Sequence, residues 1–170
     1  MSSAQEEGFK LLTEGKIKEF NSWRMTGENL RIKLNFSDKD FSGKDMSGAF
    51  LNGVNADRAR FVNSNLAHAN LVQASLNSSD FQGANLNETL LMYAEMKGAH
   101  LLDTNLTKTN LMWAELQDAD LTGSKMHQTI LVEAYLQRAN LSGIDKNDAY
   151  IKYAKLDGTP WIEQVVGQHK

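Results

Sequence analysis

The sequence predicts an all-β fold of the solenoid class, in which a short backbone unit repeats and winds into a rod. Large apolar residues recur at every fifth position from Phe36 to Leu156, small residues lie two positions before most of them, and glycine or asparagine often lies two positions after them. A period of five matches neither the helical period of about 3.6 residues nor the strand period of about 2. The chain therefore has to turn once in every repeat.

The large apolar residue of each repeat is expected to face the interior of the rod. Only Ala56 and Lys146 interrupt the series. The small residue two positions earlier, as in Ala69 before Leu71, lies on the same side of an extended segment and is expected to share the interior. The other three positions are mostly polar and are expected to face solvent. Glycines such as Gly83 supply the positive φ that a tight corner requires.

Four repeats are expected to complete one coil, because distinctive residues recur at a spacing of twenty. Three phenylalanines at this spacing are expected to lie directly above one another: Phe41, Phe61 and Phe81. A polar column with the same spacing is interpreted as a surface ladder: Asp40, Arg60, Asp80, His100 and Asp120. Another is interpreted as a ladder of stacked amides: Asn65, Asn85 and Asn105. At about 4.8 Å per coil, about six parallel coils give a rod roughly 30 Å long.

These repeats resemble the pentapeptide-repeat family, whose consensus is Ala-(Asp/Asn)-Leu-x-x. Full matches include Ala69-Asn70-Leu71 and Ala119-Asp120-Leu121, and the similarity extends over about residues 34–158. The resemblance implies a right-handed quadrilateral parallel β-helix.

The segments outside the repeats are expected to cap the ends of the rod. The predicted organisation is an N-terminal helical cap at 1–33, the β-helix at 34–158 and a C-terminal tail at 159–170. Ser3 and Glu6 have capping-box spacing. The apolar face of the predicted cap consists of Phe9, Leu12, Ile17, Phe20 and Trp23. Pro160 and Trp161 follow the last repeat and are expected to end strand pairing there.

Composition excludes several classes of protein. The chain has no cysteine, which excludes a disulfide framework and a thiolate metal site. Its net charge of −3 arises from many charges of both signs, so nonspecific binding to nucleic acid is not expected. Neither a secretion signal nor a membrane-spanning stretch is apparent, and a cytoplasmic protein without direct nucleic-acid or membrane partners is expected.

The sequence lacks the patterns that accompany catalysis. No nucleophile motif, phosphate-binding loop or metal-ligand spacing occurs, and the four histidines do not cluster. A solenoid also offers flat walls and a filled interior, whereas catalysis needs reactive groups that converge in a recess. We therefore expect a protein that is not an enzyme and that has no cofactor and no bound metal.

One of the four predicted walls differs from the others in its outward-facing residues. They form an apolar stripe that consists of Phe50, Val72, Leu90, Met92, Tyr93, Met112, Trp113, Ile130, Val132, Tyr150 and Tyr153. Contiguous apolar stripes commonly mark interfaces, and aromatic and methionine residues are enriched in interface cores. Three occupants are considered: the N-terminal helices of the same chain, a second copy in a homodimer, and a different protein.

The leading hypothesis is therefore a noncatalytic interaction module or scaffold that uses this stripe to hold a protein partner or itself. The family resemblance suggests a bacterial protein and supplies an alternative, since some members mimic duplex DNA and bind DNA gyrase, which protects it from quinolones. Mimicry requires a strongly acidic rod and commonly a dimer through a C-terminal helix. Here lysines and arginines such as Arg58 and Lys97 are interspersed among the acids, and the segment after Trp161 is short.

Overall fold

The computed structural model describes residues 3–162, which form a β-solenoid preceded by two helices. Helix α1 spans Ser3–Thr13, helix α2 spans Ile17–Arg24, and a 3-10 helix at Gly27–Arg31 leads into the solenoid. A second 3-10 helix, at Lys146–Asp148, lies near the other end. Within this described part of the chain, no helix has the length and apolar character needed to cross a membrane.

Parallel backbone bridges join residues that are twenty positions apart, as between Asp40 and Arg60 and between Arg60 and Asp80. Four five-residue repeats therefore complete one coil. Regular strands are short: β1 at Thr129–Ile130 pairs in parallel with β2 at Ala149–Tyr150, and the other sides of the described coils contribute single bridged residues. The reason is that two of every five residues lie in a turn, which leaves little extended backbone on each side.

Each corner is a tight turn whose third residue has a positive φ. In one such turn the Lys44 N–H donates to the Phe41 carbonyl at 3.1 Å, and Gly43 has φ 66°. The Gly43 N–H also donates to the Val62 carbonyl of the next coil at 2.8 Å. The predicted corner glycines are confirmed, but the same conformation occurs at larger residues such as Arg58, with φ 56°. Hydrogen bonds on both sides of the turn hold this backbone whatever side chain it carries.

About half of the large residues are preceded by an aspartate or asparagine, and this residue has a structural role that the sequence analysis did not assign. Its side-chain oxygen accepts a hydrogen bond from the N–H two positions later, as from Ala67 to Asn65 at 3.2 Å. Such turns favour Asp and Asn at this position of the repeat. The predicted amide ladder is confirmed, because Asn85 donates to Asn65 and Asn105 donates to Asn85, each at 3.0 Å.

The interior is filled by the large residue of each repeat and by the small residue before it. The predicted phenylalanine stack is confirmed: the Phe41 and Phe61 rings lie 5.3 Å apart, and the Phe61 and Phe81 rings lie 4.8 Å apart. Hydroxyl groups at the small position bond to backbone carbonyls, as Thr104 does to Phe81 at 2.8 Å. This pairing offsets the cost of burying a polar group.

The repeat is interrupted at Lys146, where the sequence series also departs from a large apolar residue. A 3-10 helix replaces the regular turn there, and the Asp145 side chain accepts from the Asn147 N–H at 2.9 Å to cap it. Placing a lysine ammonium in an apolar interior is costly. The chain therefore leaves the regular path for a few residues and returns at β2.

Helices α1 and α2 pack against the first coil. The Phe9 ring lies 5.2 Å from that of Phe41, and Leu12 and Phe20 are fully buried. The Asn21 amide donates to the Gly48 carbonyl at 2.9 Å and accepts from the Phe50 N–H at 2.8 Å. Further along this wall the corresponding N–H groups donate to the preceding coil. No coil precedes the first one, so the Asn21 side chain supplies the acceptor that a preceding coil would otherwise supply.

At the other end, Trp161 is buried and its indole N–H donates to the Ile144 carbonyl at 3.3 Å. This side chain contacts the loop that precedes the interruption and covers the apolar interior of the last coil. The rest of the predicted tail, from 163 to 170, lies outside the described residues.

Candidate functional site

The apolar stripe lies on one wall of the solenoid, which we call the apolar wall. Its outward residues form three columns along the rod, one residue per coil. The first column is bridged directly and consists of Phe50, Asn70, Leu90, Asn110, Ile130 and Tyr150. The second column consists of Asn52, Val72, Met92, Met112, Val132 and Lys152. The third column occupies the positive-φ positions and consists of Gly53, Gln73, Tyr93, Trp113, Glu133 and Tyr153.

The predicted interface residues are brought together on this wall, and several are strongly exposed. Tyr93 is 50% exposed, Tyr150 58% and Tyr153 66%, whereas the methionines of the second column are half-buried. Helices α1 and α2 lie against the first coil. They contact the apolar wall where Asn21 accepts a hydrogen bond from the Phe50 N–H, and the Phe50 side chain stays exposed. The helices leave the exposed aromatic residues of the later coils open to solvent.

Tyr93 and Trp113 stack in the middle of the wall. Their ring centroids lie 4.8 Å apart, and the ring planes meet at 8°. Both residues have the left-handed backbone of the corner, with φ 59° and 57°. This conformation disfavours bulky side chains, for which a positive φ is a genuine outlier. Local backbone preference therefore does not explain aromatic residues at these corners.

The first column gives a second indication that the apolar residues are not there for local stability. Asn70 and Asn110 accept hydrogen bonds from the N–H groups of Val72 and Met112, at 3.0 and 3.1 Å. Leu90 occupies the same position of the repeat but carries no acceptor in its side chain, and it is 38% exposed. The side chains of Ile130 and Tyr150 likewise do not accept this hydrogen bond from the N–H two positions later. A leucine here loses both the hydrogen bond and the favourable hydration of an amide.

The remaining walls carry charges of both signs that pair across coils. Arg58 bonds to Asp38 at 2.8 Å, and Arg138 bonds to Asp118 at 2.6 Å. The guanidinium of Arg58 holds the pKa of Asp38 below its ordinary value by hydrogen bonding. These pairs are exposed, so each contributes little to stability. Their effect is to make these walls electrically mixed.

An open cleft of about 580 Å³ lies between α2 and the first coil. Its charged side chains, Lys16, Lys18, Glu19 and Asp45, are all exposed. Among residues 3–162, no group of three or more His, Cys, Asp or Glu is arranged to hold a metal ion. Exposed charges in an open cleft do not have the desolvated surroundings that tune catalytic groups. The apolar wall is therefore the stronger candidate site.

Comparison with known proteins gives a consistent picture of the fold. The family sequence model described as pentapeptide repeats matches the chain in eight copies, over residues 35–71, 57–91 and 90–131. No curated protein is similar enough in sequence to match.

Several solved structures resemble the chain. One is HetL from the cyanobacterium Nostoc sp. strain PCC 7120, a pentapeptide repeat protein involved in heterocyst differentiation regulation: the identity is 27%, the TM-score is 0.59, and the match covers 75% of this chain and 60% of HetL. Another Nostoc protein, alr5209, is 23% identical with a TM-score of 0.41, covering 67% of this chain and 85% of its own. Rfr23 from Cyanothece 51142 is 25% identical with a TM-score of 0.34, covering 84% and 97%. The chain thus spans less than two thirds of HetL.

Proposed function

This chain belongs to the pentapeptide-repeat family, and from that premise we propose that it is a noncatalytic interaction module which binds a protein partner through the apolar wall. The partner is another protein or a second copy of the chain. The observation that carries the proposal is the stack of the exposed Tyr93 on the half-buried Trp113, at a position where the backbone disfavours both residues.

The composition of the wall supports this proposal. Tyrosine, tryptophan and methionine are enriched in interface cores, and tryptophan and tyrosine supply many of the residues that dominate binding energy. They lie together in the third and fourth coils, where Met92 and Met112 adjoin the stacked rings. Half of the other residues in the three columns are apolar or aromatic, and they supply surrounding contacts that would exclude water in a complex.

The likeness to HetL is consistent with this mode of action. HetL is involved in the regulation of heterocyst differentiation, and binding to another protein is one way in which a protein regulates a process. We extend only this mode of action to the present chain, in an expected cytoplasmic setting without direct contact to nucleic acid or membrane.

The alternative, mimicry of DNA toward gyrase, is not favoured. A DNA mimic needs a continuous run of uncompensated negative charge along the rod. In this chain Arg58, Arg60 and Arg138 each pair with an aspartate of the preceding coil. Lys97 pairs with Glu115 at 2.6 Å. The paired cations neutralise the acids that mimicry would require.

The test replaces apolar residues by glutamate on two different walls. The double variant Val72→Glu, Met112→Glu alters the apolar wall, and the control Val62→Glu, Leu102→Glu alters another wall at the same repeat position and the same separation of two coils. All four residues are half-buried, so the two variants carry a similar stability cost. Light scattering measures self-association, and affinity capture from a lysate of the source organism measures binding to other proteins.

We expect the first variant to lose every specific association of the native chain and the control to keep it. Thermal unfolding of both variants establishes that the solenoid is intact. Equal retention of binding in both variants would sink the proposal, and so would a native chain that neither self-associates nor captures a protein.

A further inference from the structure

We propose that the occupant of the apolar wall is a second copy of this chain, packed face to face with its rod antiparallel to the first. This inference rests on the proposed function, since it names the partner of the same wall. The observation that points to it is the second column, which reads almost the same in both directions along the rod: Asn52, Val72, Met92, Met112, Val132 and Lys152.

A twofold axis that lies in the plane of the wall and crosses the rod between the third and fourth coils relates two antiparallel copies. It places the first coil opposite the sixth, the second opposite the fifth and the third opposite the fourth. Each column faces the same column of the second copy. Val72 then faces Val132 of the second copy, and Met92 faces Met112. Every apolar residue of the second column meets an apolar residue.

The Lys152 charge disfavours two other arrangements. At the ends of the second column, Lys152 faces the neutral Asn52 of the second copy. A shift by one coil in one direction places Lys152 over Val72. A parallel arrangement, with the twofold axis along the rods, opposes the two Lys152 side chains. Burying a charge against an apolar residue or a like charge is costly.

The third column is complementary in size under the same operation. Tyr153, which is 66% exposed, faces Gly53 of the second copy. A Cβ atom built on Gly53 meets nothing within 4 Å, so there is open space beside its backbone. In the middle of this column Tyr93 faces Trp113 of the second copy, which gives four aromatic rings around the axis. The most exposed aromatic residue of the wall thus meets its smallest residue.

The remaining position of the third column is also matched. Gln73 faces Glu133 of the second copy, and both side chains are exposed. An amide donates to a carboxylate, so this pair can form a hydrogen bond without opposing like charges. It lies at the border of the aromatic centre, where interfaces are typically polar.

The size of the wall indicates a reversible dimer. About six coils at about 4.8 Å, with three outward residues of about 3.4 Å each, give a flat area of roughly 300 Å² per copy. Standard interfaces bury about 800 Å² per partner. Projecting side chains enlarge the buried area, but the contact stays at the small end of the range. We therefore expect the dimer to dissociate on dilution.

Cross-linking tests the antiparallel pairing, because the native chain has no cysteine. The single variants Val72→Cys and Val132→Cys are treated with a short bismaleimide, separately and as a mixture. In the proposed dimer the two positions face each other across the interface. Two copies of either position lie three coils apart, about 14 Å along the rod. We expect cross-linked dimer from the mixture and several-fold less from either variant alone.

The matched control uses Val62→Cys and Thr122→Cys, which occupy the same repeat position and the same coils on another wall; their mixture is expected to give no more cross-linking than random collision. Cross-linking of Val72→Cys to itself, with none in the Val72 and Val132 mixture, would show parallel rods and overturn the proposal. A native chain that stays monomeric in a sedimentation concentration series would overturn it as well. Neither result removes the wall as a docking surface, which the glutamate variants and protein capture test separately.

Discussion

The indole ring of Trp113 lies parallel to the phenol ring of Tyr93, with the ring centroids 4.8 Å apart. This separation equals the spacing of about 4.8 Å between neighbouring strands of a sheet. Two aromatic residues twenty positions apart are brought into stacking by the solenoid itself, since they occupy the same position in successive coils. The fold thus converts a sequence spacing into a stacked pair in which Tyr93 is exposed and Trp113 is half-buried.

The first prediction concerns this pair. Trp113→Ala and Tyr93→Ala are each expected to weaken association through the wall by about tenfold or more, as is typical of interface hot spots. The double variant is expected to lose less than the two single effects combined, because each single change already breaks the shared stack. Sedimentation equilibrium measures the dissociation constants. Tyr135→Ala, on another wall and also exposed, serves as the control and is expected to change little.

The second prediction separates binding from stability. In Leu90→Asn, Ile130→Asn the new amides can accept from the N–H groups two positions later, as Asn70 does from Val72 at 3.0 Å. We expect the free energy of unfolding to stay constant or rise by about 0.5–1.5 kcal/mol per restored hydrogen bond, while association through the wall is lost. Chemical denaturation and light scattering measure the two effects. A clear loss of stability, or undiminished association, would contradict the assignment of these residues to binding.

The periodicity predicted much of the fold because equivalent positions of every repeat have the same environment. The interior stack of Phe41, Phe61 and Phe81 follows from spacing alone, as does the position of the apolar wall. The turn bonds of Asp and Asn were not predicted, because composition shows that these residues are polar but not what they bond. The positive φ of Trp113 was not predicted either, because that conformation was assigned only to glycine-type corners such as Gly83, although Trp113 occupies the same position of the repeat.

The ends of the solenoid were less predictable than its middle for a related reason. Hydrophobic patterning identified Phe9 and Phe20 as cap residues, but the role of Asn21 depends on where the first coil ends. Asn21 lies outside the repeats, so no equivalent residue recurs in the sequence to indicate that its amide bonds to both Gly48 and Phe50. The same holds for the 3-10 helix at Lys146, where the break in the series was visible but its conformation was not.

The third prediction concerns Asn21 and the closure of the first coil. Asn21→Ala leaves the Phe50 N–H and the Gly48 carbonyl without their protein partner, and a cost of about 1–3 kcal/mol is expected if water cannot replace it. Asn21→Asp keeps the acceptor for the Phe50 N–H but turns a carboxylate oxygen toward the Gly48 carbonyl, so protection of the Phe50 amide is expected to be kept better than in Asn21→Ala. Hydrogen exchange at the Phe50 amide measures the local effect. Equal, unchanged protection in both variants would contradict the capping role.

The fourth prediction is a loss of stability in acid. Hydrogen bonds from Ser42 and Thr122 lower the pKa values of Asp40 and Asp120 in the folded chain. A lowered folded pKa means that stability is present above the unfolded pKa and is lost as the pH falls through the folded value. The midpoint of thermal unfolding is measured from about pH 6 down to about pH 2. We expect it to decrease as the pH falls below about 4, the ordinary pKa of aspartate.

A matched variant isolates these two carboxylates. Asp40→Asn, Asp120→Asn keeps a side-chain oxygen that accepts from the N–H two positions later, as the natural asparagines of other repeats do. It removes the titration at both sites. We expect a shallower decline of stability in acid than in the native chain. An identical decline would show that other groups govern the acid response.

The last prediction uses the phenylalanine stack to test how packing is distributed along the rod. The Phe61 ring has a stacked ring on each side, at 5.3 Å from Phe41 and at 4.8 Å from Phe81, whereas Phe81 ends the stack and is followed by Leu101 in the next coil. Phe61→Leu therefore removes two aromatic contacts, and Phe81→Leu removes one. Since a stacked pair contributes about 0.5–1.5 kcal/mol beyond its buried area, Phe61→Leu is expected to cost more by about that amount in chemical denaturation. Equal costs would mean that lost volume, rather than ring stacking, determines the stability of this column, because both substitutions remove the same atoms from equally buried sites.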